Sequence, residues 1–180
     1  KNMLDKEYGL IEERLKREQY PNTRYFTFAN TVSTIDFNKT IKGHGWLGCK
    51  FQIDPNLPPN EVIIHVRLND PEARLQQETI GVLGTNLIYG CFNHYKNPKE
   101  LIISLYDNLS RDNIEIDMVH TEGPDFEKID DRLLSLTLVK ERMTDAVIFS
   151  PDGKNQQPSD ILYKKNILTI RGSFRPVTKV

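Results

Sequence analysis

Trp46-Leu-Gly-Cys-Lys-Phe-Gln-Ile53 and Glu61-Val-Ile-Ile-His-Val-Arg-Leu68 are the two stretches of sequence that decide the fold. Both are rich in β-branched and aromatic residues, which favours strands. The segment 54–60 between them contains three prolines. Because proline fixes φ and donates no backbone hydrogen bond, this segment is expected to form a rigid turn. The sequence therefore predicts that the two strands pair antiparallel.

The rest of the chain alternates between helical and strand periodicity. Helices are predicted over 4–20, 71–91, 97–109 and 126–142, with Asp70 and Asn97 as N-caps, and strands over 25–32, 114–119, 146–149 and 161–170. This order of elements predicts a single α/β domain of the α+β type. We expect one mixed sheet with helices packed on it, and antiparallel strands near the N-terminal half.

The composition limits the classes of function that need to be considered. The formal net charge of the 180 residues is −1, which gives no overall attraction to nucleic acid or anionic lipid. No apolar run approaches the roughly 20 residues that span a bilayer. Cys49 and Cys91 are too few for a disulfide framework, so free buried thiols in a cytoplasmic protein are expected. The chain begins at Lys1 and stops at Val180 directly after a motif, which indicates a piece of a longer protein.

The motif at the C-terminal end offers the clearest functional lead. A predicted strand runs into Arg171-Gly-Ser-Phe-Arg-Pro-Val-Thr178. This stretch resembles the phosphate-binding loop of nicotinamide and nicotinate mononucleotide adenylyltransferases, whose pattern is Gly-Ser/Thr-Phe-x-Pro-x-Thr/His-x-x-His. The resemblance implies that Gly172, Ser173 and Phe174 form the loop and that Thr178 lies near the phosphates. Arg171, beside the loop, is a candidate for bidentate phosphate binding.

Further sequence segments extend the resemblance over most of the chain: His44-Gly-Trp-Leu-Gly48, His65-Val-Arg67, Leu75-Gln-Gln77 with Gly84-Thr-Asn-Leu87, and Tyr163-Lys-Lys165. They are similar to an uncharacterised bacterial family whose members are often labelled nicotinate-nucleotide adenylyltransferase. The resemblance implies a nucleotidyltransferase that uses ATP and Mg²⁺, with a nucleotide and the remainder of its own longer chain as partners.

Two further residues are candidates for a cleft. The run Gly43-His-Gly-Trp-Leu-Gly48 fits the dinucleotide fingerprint in letters, but a strand follows it where that fingerprint requires a helix. We expect a glycine-flanked loop with Trp46 anchored in the core and His44 accessible to a cleft. Arg67, near the end of its strand, is a candidate anion ligand.

The sequence spacing gives no metal ligand set. His44, His65, His94 and His120 are not spaced as His-x-x-x-His, and the two cysteines lie far apart. The histidines at 65 and 120 are expected to be hydrogen-bonded and partly buried within strands. Glu115 and Asp117 share one face of a predicted strand, because side chains alternate with period 2. Such a pair of carboxylates either binds Mg²⁺ or forms the solvent face of an edge strand.

Three hypotheses of function follow from these observations. The first is a nucleotide-binding, adenylyltransferase-like domain of a larger protein. The second is a noncatalytic scaffold or assembly module, including a homo-oligomer, suggested by the glycine-bearing apolar segment 75–92 and the apolar run 133–139. The third is a metal-dependent phosphoryl-transfer or nuclease-type enzyme that uses Glu115 and Asp117.

Overall fold

The computed structural model describes residues 1–168. Its elements are α1 (Asn2–Arg14), β1 (Phe26–Ser33), β2 (His44–Phe51), β3 (Asn60–Leu68), α2 (Ala73–Asn93), α3 (Pro98–Ser104), β4 (Ile114–Glu122), α4 (Asp131–Lys140), β5 (Ile148–Phe149), β6 (Asn155–Gln156) and α5 (Pro158–Leu162). A 3-10 turn, Arg17–Gln19, follows α1. No helix within the described range is both long and apolar enough to cross a membrane.

The main sheet has four strands in the order β1-β2-β3-β4, and β5 and β6 form a separate two-stranded sheet. The α+β class is confirmed. The turn at 54–60 joins β2 to β3 as an antiparallel pair, with Phe51 opposite Asn60. Every strand pairing within residues 1–168 is antiparallel, so the sheet is simpler than the mixed one expected.

One face of the main sheet, which we call the apolar face, is closed by helices. The α2 side chains of Leu83, Leu87 and Cys91 are fully buried in a core that also contains Cys49 and Phe51 of β2. Both cysteines are free and buried, as predicted. Burial of this apolar surface is the main favourable contribution to folding.

Glycine 84 shows how closely α2 approaches the sheet. A Cβ at this position would lie 2.9 Å from Phe28 Cζ, whereas a Cβ at Gly81 would meet nothing within 4 Å. Gly84 therefore permits a close approach between α2 and the sheet, whereas Gly81 faces open space.

The opposite face of the sheet, which we call the open face, is only partly covered. Helix α1 lies over one part of it, with Leu4 and Tyr8 buried. Gly48 permits this contact, because a Cβ there would lie 2.5 Å from Leu4 Cδ1. Polar side chains occupy the remainder of the face.

The pairing of β3 with β4 contains one irregularity. The register shifts between His65 and Val66, which pair with Met118 and Ile116, so that Asp117 has no cross-strand partner. This is a β-bulge, a feature that often lies beside functional sites because it redirects a side chain.

Several predicted boundaries are wrong for identifiable reasons. The first helix ends at Arg14 rather than Tyr20, since Lys16 adopts a positive φ of 40°. Asp70 does not cap α2, which begins at Ala73. The Asp70 carboxylate instead accepts hydrogen bonds from Thr79 Oγ1 at 2.6 Å and Asn113 Nδ2 at 3.0 Å.

The strand predicted over 161–170 is also wrong within the described range. Residues 158–162 form helix α5 and residues 163–168 form no regular element. Pro158 at the first helical position favours a helix start, and Lys164 takes a positive φ of 52°, which interrupts extended backbone. Residues 169 and 170 lie outside the described residues.

Candidate functional site

Polar and aromatic side chains from three strands meet at one end of the open face. Alternation along each strand brings them to the same side, since residues two apart on a strand project in the same direction. The members of this cluster are His44 and Trp46 of β2, His65 and Arg67 of β3, and Glu115 and Asp117 of β4.

A buried histidine–aspartate pair forms the centre of the cluster. His65 is 1% exposed and Asp117 is 2% exposed. Their Nδ1 and Oδ1 atoms lie 2.6 Å apart. Because an ionised carboxylate only accepts hydrogen bonds, Nδ1 carries the proton, and Nε2 remains as an acceptor. The imidazole is therefore held in one orientation and one tautomer.

The Nε2 atom of His65 faces the side chain of the residue that directly precedes α5. Gln157 Nε2 lies 2.9 Å from it, and the same amide nitrogen donates to Ser159 Oγ at 2.7 Å. A neutral amide thus occupies the one position from which His65 accepts a proton. Displacing Gln157 would present a histidine already oriented by Asp117.

Arg67 supplies positive charge beside this pair. Its Nε lies 3.1 Å from Asp117 Oδ2, and its Nη1 lies 3.9 Å from Glu115 Oε2. The Arg67 side chain is 39% exposed, so part of the guanidinium remains accessible to a ligand. Arginine in such a position suits a planar anionic group such as phosphate or carboxylate.

Glu115 and Asp117 lie on one face, as predicted, but they are not free to act as a pair of metal ligands. Arg67 lies against both carboxylates, and Thr144 Oγ1 donates to Glu115 Oε1 at 2.7 Å. A metal ion between them would have to displace the guanidinium. This arrangement weakens the third hypothesis.

Two open clefts meet at this cluster and share His44, His65 and Ser159. One has a volume of about 240 Å³ and includes Arg67 in its lining. The other has a volume of about 860 Å³ and includes Trp46 in its lining. The structure therefore brings the two predicted cleft residues, His44 and Arg67, to one site, where they are also cross-strand partners.

Trp46 corrects one prediction and adds a feature to the site. Strand β2 already begins at His44, so residues 44–48 belong to the strand rather than to a loop, and Trp46 is half-buried on the open face instead of anchored in the core. Its ring centroid lies 4.8 Å from that of His65. Tyr163, 69% exposed, lines the same cleft. Aromatic side chains at the wall of a cleft offer surfaces on which a flat ring stacks.

Sequence reasoning identified His44, Arg67 and the Glu115–Asp117 pair but missed the contacts that unite them. The contact between His65 and Asp117 joins residues 52 apart in sequence. Gln157 and Ser159 belong to no recognisable motif, and the strand predicted over 161–170 does not include them. The Pro158 helix start was the available signal.

The predicted phosphate loop cannot be compared with this geometry. Arg171, Gly172, Ser173, Phe174 and Thr178 lie outside the described residues. Their assignment to a nucleotide therefore stays a prediction from the resemblance alone.

Comparison with known proteins leaves the site to be interpreted from its own chemistry. No protein-family model, no curated protein and no solved structure matches this chain.

Proposed function

We propose that the cleft around His65 and Arg67 binds a phosphorylated nucleotide-type ligand, in a nucleotide-binding domain of a cytoplasmic protein. One observation carries the proposal: a histidine oriented by a buried aspartate lies between an aromatic wall and a partly exposed arginine. A ligand that combines a flat ring with an anionic group would stack its ring on the aromatic wall and pair its anionic group with the arginine. Mononucleotides are the ordinary members of this chemical class.

Each side chain has a separate role in this proposal. Trp46 and Tyr163 stack against the base or the pyridine ring. Arg67, with Lys42 at the edge of the smaller cleft, binds the phosphate. His65 accepts a proton or a hydrogen bond from the ligand once Gln157 has moved aside.

Adenylyl transfer is the more specific form of the proposal. Phosphoryl and nucleotidyl transfers depend on positioning and charge stabilisation, for which ATP and Mg²⁺ would be bound together.

Calorimetric titration with AMP, ATP, NAD and nicotinate mononucleotide, with and without Mg²⁺, tests the proposal. We expect at least one of these ligands to bind at one site per chain. Arg67→Gln should weaken binding at least about tenfold, because it removes the phosphate ligand.

Arg111→Gln is the matched control. Arg111 also lies 3.9 Å from Glu115 Oε2 and has a similar exposed fraction, 35%, but it lies outside both clefts. It should leave binding unchanged. Absence of binding by all four ligands, or equal effects of the two substitutions, would contradict the proposal.

A scaffold function is the second candidate, supported by α4. Leu133 is 63% exposed and Leu136 is 48% exposed, three residues apart on one side of the helix. Pairs of exposed leucines on a helix are found at contacts between subunits or domains. A homo-oligomer in light scattering that dissociates when both leucines are replaced by glutamate would favour this candidate; a monomer at all concentrations would contradict it.

A further inference from the structure

A second polar cluster lies on the open face, around the other end of β3 and β4. Glu61 of β3 pairs directly with Glu122 of β4, and His120 precedes Glu122 by two positions. One ligand atom from each of these three residues can be chosen so that all lie within 4.8 Å of one another. The cluster does not depend on the nucleotide proposal, since it shares no residue with the cleft around His65.

Glu61 is the most unusual member of the cluster. It is 3% exposed, and neither of its carboxylate oxygens has a hydrogen-bond partner among residues 1–168. The nearest cations are Lys1 Nζ at 3.9 Å and Lys50 Nζ at 3.8 Å, both beyond hydrogen-bond distance. A buried carboxylate without hydrogen bonds destabilises a fold unless a ligand satisfies it.

Burial accordingly raises the pKa of Glu61 above its ordinary value. The two lysines act in the opposite direction and do not overcome this effect. Neither lysine is within hydrogen-bond distance of the carboxylate, so both of its oxygens remain available to a cation.

His120 has the geometry of an oriented ligand. Its Nδ1 lies 2.7 Å from Asp131 Oδ2, which places the donated proton on Nδ1. In the neutral imidazole Nε2 carries the lone pair, and this atom lies 3.6 Å from Glu122 Oε2. Metal-binding histidines characteristically donate their other ring nitrogen to a carboxylate in this way, because the contact fixes the tautomer and the ring orientation.

Access to the cluster is open. A cleft of about 630 Å³ is lined by Glu61 and Glu122 together with Lys1, Lys50 and Thr121. The ammonium of Lys1 contacts Glu122, and that of Lys50 contacts Asp5. A divalent cation entering the cleft would displace the Lys1 ammonium and take over its charge-neutralising role.

We propose that Glu61, His120 Nε2 and Glu122 bind one divalent transition-metal ion, with Zn²⁺ as the best match, and that water completes its coordination. One imidazole and two carboxylates suit Zn²⁺ better than Mg²⁺ or Ca²⁺, which prefer oxygen ligands alone. Tetrahedral bonds of about 2.0–2.2 Å place ligand atoms roughly 3.5 Å apart. The Glu122 side chain, 55% exposed, is able to make this approach by rotating.

The test is titration of EDTA-treated, dialysed full chain with Zn²⁺, followed by Co²⁺ absorption spectroscopy. We expect one Zn²⁺ per chain and a Co²⁺ spectrum of low coordination number. Mg²⁺ at the same concentrations should not compete. A stoichiometry of zero, or a fully hydrated octahedral Co²⁺ spectrum, overturns the proposal.

Variants locate the ion. His120→Ala and Glu61→Gln should each weaken Zn²⁺ binding at least about tenfold, and Asp131→Asn by about 10–100-fold because it acts through His120. His94→Ala is the control, since His94 lies at the C-terminal end of α2 and is not among the clustered ligand residues. Lys1→Ala should strengthen binding. Unchanged affinity in His120→Ala and Glu61→Gln, or an equal loss in His94→Ala, overturns the assignment.

The Glu61→Gln variant keeps the experiment interpretable even if another variant fails to fold. Glu61→Gln removes a buried charge without a hydrogen-bond partner and keeps the shape of the side chain, so this variant is expected to fold. Failure of nucleotide binding in the other cleft leaves the zinc result intact, because the two sites have no residue in common.

Discussion

The two faces of the main sheet differ in the kinds of side chain that they bury. On the apolar face, Leu83, Leu87 and Cys91 of α2 are fully buried among side chains of their own kind. On the open face lie most of the buried polar atoms that lack a hydrogen-bond partner within residues 1–168, among them Tyr8 Oη, Thr27 Oγ1 and both carboxylate oxygens of Glu61. The apolar face explains why the chain folds, while the open face carries groups that folding alone does not require.

The largest expected effect tests whether the open face contributes to stability through its charges. Asp117→Ala should lower the free energy of unfolding by about 3–5 kcal/mol, because it leaves His65 and Arg67 without the carboxylate that holds them. Urea denaturation measures the change. A loss below about 1 kcal/mol would show that the charges of this face are dispensable.

The apolar face should respond to a change of volume instead. Leu87→Ala leaves a cavity at a fully buried position and should cost about 2–5 kcal/mol in the same denaturation experiment. Val82→Ala on the same helix is the control, since Val82 is 36% exposed. Equal effects of the two substitutions would mean that α2 is not packed as described.

Tyr8 and Tyr106 allow buried phenols with and without hydrogen bonds to be compared. Burial raises the pKa of each to about 12. Tyr106 Oη donates to the carbonyl oxygens of Ile114 and Met143, at 3.2 and 3.1 Å, whereas Tyr8 Oη on the open face has no partner among residues 1–168. Tyr106→Phe should cost about 1 kcal/mol at neutral pH, and Tyr8→Phe close to nothing.

The raised pKa values of Tyr8 and Tyr106 also predict how the free energy of unfolding depends on pH. A phenol whose pKa is higher in the folded chain contributes its full stability below pH 10, and this contribution is lost as pH rises toward 12. Denaturation of each Phe variant across this interval should give a flatter curve than that of the parent chain. A curve of unchanged slope in both variants would contradict the burial of these phenols.

The smallest effect concerns Glu61. In the presence of a chelator, Glu61→Gln should leave the unfolding free energy unchanged or raise it by no more than about 1 kcal/mol at neutral pH, since burial already disfavours the ionised carboxyl. Thermal unfolding detects the shift. A marked destabilisation would indicate that Lys1 and Lys50 compensate this charge fully.

Much of the fold was open to prediction because it rests on local signals. Alternation marked β1 and β4, and β-branched and aromatic content marked β2 and β3. The three prolines marked the turn between β2 and β3, and Asn97-Pro98 marked the start of α3. Each signal depends on residues close together in sequence, for which backbone preference and side-chain periodicity are sufficient.

The candidate sites were less open to prediction because strand pairing assembles them. Glu61 lies 59 positions before His120, and no spacing rule connects residues across a sheet of unknown register. Asp70 fits the sequence preference of an N-cap, yet tertiary partners, Thr79 and Asn113, bind its carboxylate instead. The strand predicted at 161–170 is wrong within the described range because the apolar residues there suggest a strand, whereas Pro158 starts a helix just before them.

The extra residue in β4 has a consequence for how this sheet tolerates changes of length. Ile116 and Val119 both point into the core although they are an odd number of residues apart, so the strand changes phase at Asp117. Deleting Asp117 would therefore restore regular pairing of β3 with β4 and keep Val119 in the core and His120 and Glu122 on the open face, while removing the carboxylate that contacts His65 and Arg67. The extra residue thus adds one functional group to the open face without changing which face its neighbours occupy.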